Sequence, residues 1–206
     1  MDLSTYAAAT TIFGIDEGDQ LGHVAVVGDV DGDERDDILL TAVSADGRGN
    51  AADLAGEAVL ILNGSLEAAV NGSPGEVDHV IYGANREDRL GRSAAIGDID
   101  GDGVREILAG APGAAGADGA ARRGKLYVID AMRLADEVTM PAGSVVYTGT
   151  VAGATLGSEI YGRMPVTTGD LDGDRRDEII VTSPLADGPR GDRPDCGQAV
   201  ILFITP

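Results

Sequence analysis

The sequence predicts an all-β fold built from three repeated blades, each of four short antiparallel strands. Three observations carry that expectation. One acidic phrase occurs three times at nearly equal spacing, apolar runs of strand length with period 2 surround each copy, and the connections between them are rich in Gly.

The acidic phrase reads Asp29-Val30-Asp31-Gly32-Asp33-Glu34-Arg35-Asp36-Asp37, then Asp98-Ile99-Asp100-Gly101-Asp102-Gly103-Val104-Arg105-Glu106, then Asp170-Leu171-Asp172-Gly173-Asp174-Arg175-Arg176-Asp177-Glu178. Asp98 follows Asp29 by 69 residues and Asp170 follows Asp98 by 72. A period this long belongs to blades or arrays rather than to tandem metal-binding turns. Short alternating apolar runs precede the loops (Val24 and Val26, Ala94 and Ile96, Val166), and Ile38-Leu39-Leu40, Ile107-Leu108-Ala109 and Ile179-Ile180-Val181 follow them. Further on, Gly56, Gly124 and Gly197 each open another apolar strand. A fourth element lies upstream of each repeat, at Thr11-Ile12-Phe13-Gly14, Val80-Ile81-Tyr82-Gly83 and Val145-Val146-Tyr147. Four strands per repeat with Gly-bearing turns read as blades of the propeller type.

Within each phrase, carboxylates stand at positions 1, 3, 5 and 9. Alternate residues of an extended or turning chain project to one side, so a loop curled round a centre aims all four inward. Carboxylates about 5 Å apart repel by about 3 kcal/mol per pair at an effective dielectric near 20, so the loops call for a cation. Dense hard oxygen ligands suit calcium, which takes six to eight of them. The candidate ligands are Asp29, Asp31, Asp33 and Asp37; Asp98, Asp100, Asp102 and Glu106; and Asp170, Asp172, Asp174 and Glu178. Backbone carbonyls at position 7 (Arg35, Val104 and Arg176) complete the three expected calcium sites. Acidic turns on a solvated surface are the plainer alternative, and threefold repetition at a fixed offset argues against it. These are not EF-hands, whose loops want Gly at position 6 and Glu at position 12. Here position 12 is Leu40, Ala109 and Val181, apolar residues that imply the chain leaves each loop into a buried strand.

The chain resembles the FG-GAP repeats of the integrin alpha-subunit β-propeller family over nearly its whole length. That family's phrase is Phe-Gly, a calcium loop between the first two strands, then Gly-Ala-Pro. The second repeat fits best, with Leu90-Gly91, its loop, and Gly110-Ala111-Pro112. The first keeps Leu21-Gly22 but has Thr41-Ala42-Val43, and the third has Tyr161-Gly162 and Thr182-Ser183-Pro184, with extra residues between Tyr147 and Gly162. The resemblance implies one propeller-type domain over residues 1–206, with repeats near 12–79, 80–144 and 145–206.

With 15 basic and 35 acidic residues the net charge is −20, and three calcium ions would leave it strongly negative. Phosphate binding needs clustered Lys and Arg, so neither nucleic acid nor an anionic membrane is an expected partner. No apolar run is long enough for a membrane span. Cys196 is the single cysteine, so no disulfide forms within the chain, and it reads as a small apolar residue before a strand. Met1 to Tyr6 has neither the basic start nor the apolar core of a signal peptide. Weak calcium loops fill readily where calcium is millimolar, so an extracellular or surface location is expected, with the cytoplasm as the alternative.

Catalysis has little support. His23 and His79 sit beside strands outside any ligand spacing, no Ser lies in a nucleophile elbow, and the run from Gly113 to Gly124 lacks the Lys-Ser/Thr ending of a phosphate loop. Arg190-Gly191-Asp192, flanked by Pro189 and Pro194, is an integrin-recognised tripeptide that reads here as a polar turn. Seven aromatics in 206 residues, none of them Trp, weaken a sugar-binding reading.

Closed propellers have four to eight blades, so three leave open edges. The chain starts on an outer strand and stops after the third strand of its last repeat. A partial or half propeller closed by association is therefore expected, through self-association or a protein partner; the alternative is that the sequence is a piece of a longer propeller. The expected function is a noncatalytic binding, adhesion or assembly module. The alternatives are a noncatalytic appendage of an extracellular hydrolase or lipase, or an accessory subunit of a larger bacterial complex.

Overall fold

The computed structural model describes residues 10–62, 69–116, 123–141, 144–148, 166–183, 192–193 and 196–204. In chain order the strands are β1 (Thr11–Phe13), β2 (Leu21–Gly28), β3 (Asp37–Ala42), β4 (Glu57–Ile61), β5 (Ala69–Asn71), β6 (His79–Tyr82) and β7 (Ser93–Gly97). There follow β8 (Glu106–Ala111), β9 (Lys125–Ile129), β10 (Glu137–Thr139), β11 (Ser144–Thr148), β12 (Val166–Gly169), β13 (Glu178–Ser183) and β14 (Gln198–Leu202). Only two three-residue 3-10 turns interrupt this all-β pattern among the described residues.

The strands form three blades. Blade 1 runs β2-β3-β4-β6 and blade 2 runs β7-β8-β9-β11, each antiparallel throughout. Among the described residues blade 3 has three strands, β12-β13-β14. The expectation of four antiparallel strands thus holds for two blades. Blade 1 gains a fifth, since β10 pairs in parallel with the outer edge of β6. The N-terminal strand, expected to be an outer strand, pairs in parallel with β5 of the same chain. Both additions are made by the stretch after a blade's third strand, which runs back along the preceding outer strand. They supply partners to backbone groups that an open edge leaves unpaired.

Strand pleating gives every blade two faces, here called front (toward the following blade) and back (toward the preceding one). The front of blade 1, with Leu39, Ala58 and Leu60, shares a core with Ile107, Ala109 and Tyr127 on the back of blade 2. The front of blade 2, with Ala95, Leu108 and Leu126, shares a second core with Val166, Ile179 and Val181 on the back of blade 3. Burial on both faces explains why β8 reads as a continuous apolar run, Ile107-Leu108-Ala109-Gly110-Ala111, rather than an alternating one. A third cluster lies on the back of blade 1, where Ile12 and Ile15 pack against Val59, Ile61 and Val80. The inner strands β2, β7 and β12 run side by side through the stack.

Candidate metal centres

Each acidic loop joins the first two strands of a blade, and its ninth residue is the first residue of the second strand. Asp37, Glu106 and Glu178 open β3, β8 and β13. One carboxylate oxygen of that residue reaches back across the loop to the amide of position 2. Val30 N–H donates to Asp37 at 2.9 Å, Ile99 N–H to Glu106 at 2.8 Å and Leu171 N–H to Glu178 at 2.7 Å.

The remaining closure is the same three times over. The position 1 carboxylate accepts from the amides of positions 4 and 6: Gly32 and Glu34 onto Asp29, Gly101 and Gly103 onto Asp98, Gly173 and Arg175 onto Asp170. Position 3 accepts from position 5, and position 5 from position 7, so Asp33, Asp102 and Asp174 each tie down the amide of Arg35, Val104 or Arg176. Gly at position 4 is required by the turn, since Gly32, Gly101 and Gly173 have φ of 79°, 79° and 85°. Position 6 is also left-handed, at Glu34, Gly103 and Arg175.

Three groups of carboxylates result, each with ligand oxygens within 4.8 Å of one another: Asp29, Asp31 and Asp33; Asp98, Asp100 and Glu106; Asp170, Asp172 and Glu178. Two oxygens on opposite sides of a calcium ion, each about 2.4 Å from it, lie about 4.8 Å apart. The spread therefore fits one cation per loop, and the all-oxygen donor set fits calcium. Asp37, Asp102 and Asp174 stand outside these tight groups and are held to their loops by the amide bonds just described. The position 7 side chains have a role the sequence did not reveal. A Cβ added at Gly32 would lie 3.2 Å from Val104 Cγ2, and one at Gly101 would lie 2.8 Å from Arg176 Cγ. The first two loops thus each abut the position 7 side chain of the next.

The loops are electrostatically crowded. Burial first, then the charges of Asp37, Asp33 and Asp29, push the Asp31 carboxyl up. Burial and the charges of Asp100, Asp102 and Asp98 push Glu106 up to about 7, against the opposing Ile99 N–H. Burial is the larger cause, and the neighbouring carboxylates of the loop add to it.

Residues 90–129 match the FG-GAP repeat family. The chain carries an FG-GAP repeat. The matched segment runs from Leu90 through β7, the second acidic loop, β8 and β9, so the FG-GAP repeat coincides with the first three strands of blade 2 and its metal-capable loop. The other two loops share its spacing and its hydrogen bonds, although the family match covers blade 2 alone. No curated protein matches the chain.

Other sequence candidates fall elsewhere. His23 lies within β2, while His79 opens β6 with Nδ1 3.1 Å from the Ala135 carbonyl. Cys196 is exposed rather than packed. Of the tripeptide, Arg190 and Gly191 lie outside the described residues, and Asp192 is exposed beside Arg193. No helix among the described residues is long and apolar enough to cross a membrane.

Proposed function

We propose that this FG-GAP protein is a noncatalytic, calcium-binding module that acts by contacting other proteins, outside the cell or at its surface. The observation that carries the reading is the three-carboxylate group in each loop, closed by the same hydrogen bonds. Calcium would be held by Asp29, Asp31 and Asp33, by Asp98, Asp100 and Glu106, and by Asp170, Asp172 and Glu178, with Asp37, Asp102, Asp174 and the carbonyls of Arg35, Val104 and Arg176 as further ligands. It would offset the mutual repulsion of carboxylates gathered this closely. Its effect would be structural, because position 9 is at once a loop ligand and the start of a blade's second strand. A carboxylate tethered by amides of its own loop is placed for coordination rather than for moving protons, which supports a noncatalytic role. The external location rests on loops that millimolar calcium fills.

A ligand bound only by the folded state, at 100 times its dissociation constant, stabilises by about 2.7 kcal/mol per site. Millimolar calcium is expected to raise the melting temperature markedly, a chelator to reverse the rise, and Asp100→Ala to remove one bound ion by titration calorimetry. A melt indifferent to both calcium and chelator would overturn the calcium reading.

A further inference from the structure

Blade 3 carries the apparatus for a neighbour that the described residues do not place there. The glycines that end the inner strands, Gly28, Gly97 and Gly169, occupy one repeat position. A Cβ at Gly28 would lie 2.7 Å from Ile96 Cγ2, and one at Gly97 would lie 2.6 Å from Thr168 Oγ1, so both glycines admit a side chain of the next blade. Gly169 has nothing within 4 Å, and it has no left-handed φ to explain a glycine. Loop position 2 tells the same story. Val30 and Ile99 are buried beneath the following blade, whereas Leu171 is 53% exposed. Ile201, on the front of β14 where β4 has buried Leu60, is 47% exposed.

Blade 1 carries the reciprocal features. The side chains that fill the glycine gaps, Ile96 and Thr168, correspond by repeat spacing to Val27, which is 61% exposed on the back of blade 1. The N-terminal strand is the outer strand of a blade that would precede blade 1. Its pairing with β5 (Ile12 opposite Val70) reproduces that of β6 with β10 (Ile81 opposite Val138). Ile12 also packs on the back of blade 1 as Ile81 packs in the core with blade 2. The other edge of β6 pairs with β4, whereas β1 has no second strand beside it among the described residues. Blade 3 has the converse lack: β14 is an edge with no outer strand beyond it among the described residues.

A back face of this repeat type with an outer strand would fit against blade 3, and this chain presents one, with Val27 and its N-terminal strand. We propose that two copies join head to tail into a six-blade ring, each setting the front and open edge of its blade 3 against the back of blade 1 and β1 of the other. Six blades fall within the four to eight of closed propellers. The ring continues an interface already formed twice within the chain, and the blade 1 register carries over to β14 and β1, setting Ala199 opposite Ile12 as Ala58 stands opposite Ile81. The proposal names the partner of the protein-binding module argued above.

The test is the solution mass of the full chain in calcium, by light scattering or sedimentation, with bound calcium measured on the same samples. Twice the 20.9 kDa of one chain is expected at high micromolar concentration. Ile201→Arg blocks the front and Val27→Arg the back. Both sites are exposed, so each variant alone is expected to be a monomer that melts as a folded protein. An equimolar mixture is expected to recover the doubled mass, because one open front then meets one open back. A concentration-independent monomer, which is the result if another polypeptide covers these faces, would overturn the ring. So would a Val27→Arg variant that stays dimeric, which would mean that fronts meet fronts, or assembly that continues past two copies. Calcium bound by a monomer would sink the ring and leave the calcium reading standing; a calcium-free ring would do the reverse.

Discussion

Blade 2 and the two blades beside it follow one plan, yet blade 2 alone has both faces covered by other blades. Its β8 is buried almost throughout, and its Lys125 stands where blade 1 has Glu57 and blade 3 has Gln198. Burial pushes the Asp88 carboxyl up, and the hydrogen bonds from Asn85 and then the charge of Lys125 oppose it. In blade 1 the same arrangement sets Glu57 near Asp19, and burial followed by the charges of Asp19 and Asp16 pushes Glu57 up to about 8. Blade 2 is also the blade that the FG-GAP family matches. A repeat that is used on both faces keeps the pattern, and the end repeats carry substitutions whose cost depends on what covers them.

The largest expected contrast is between Leu108 and Ile180, which share a register position on the front of blades 2 and 3. Leu108 is fully buried, so Leu108→Ala is expected to cost about 2–5 kcal/mol in urea unfolding. Ile180 is half-buried. In a chain kept monomeric by Ile201→Arg, Ile180→Ala is expected to cost less than half as much; equal costs would mean that the front of blade 3 is already covered.

Next is the pH dependence of blade 1. Glu57 keeps its proton in the folded chain up to about pH 8 and loses it near its ordinary value when unfolded. Folding takes up a proton in that window, so stability is highest below the unfolded value and falls as pH rises toward 8, by at most about 1.4 kcal/mol per pH unit. Glu57 is buried with Oε1 unpartnered. Glu57→Gln is expected to add about 1–3 kcal/mol at pH 9 and little near pH 4. A gain independent of pH would show that charge is not the cause.

The smallest contrast lies at loop position 6, where φ is 92° for Gly103 and 74° for Arg175. Arg175→Gly is expected to stabilise blade 3 by about 1 kcal/mol, since left-handed backbone disfavours residues with a Cβ. Loss of stability would point to a contact made by the Arg175 side chain.

Much of this molecule was legible in its sequence because the signals were local and repeated. Gly32, Gly101 and Gly173 mark the turns, the alternating carboxylates mark the loops, and the runs from Ile38, Ile107 and Ile179 mark the second strands. What stayed hidden depends on distant partners. Strands β5 and β10 are three residues long, and β10, Glu137-Val138-Thr139, becomes a strand by docking on β6, which no run of alternation announces. The burial of Val30 and Ile99 under the next blade, and the inward turn of Glu57, follow from stacking rather than from their neighbours in sequence. The left-handed backbone at position 6 had one visible sign, Gly103, which Glu34 and Arg175 obscured.

The outer stitching by β5 and β10 also bears on how such a chain can change its length. The stretch that follows one blade's third strand completes the edge of the blade before it, so no blade can be excised cleanly at its own boundary. A cut there would strand either an outer strand or its parallel companion. A cassette of one full period is different, since wherever it begins it brings one outer strand and one companion. Duplication in whole periods therefore preserves every pairing, and the heritable unit of this architecture is the period rather than the blade.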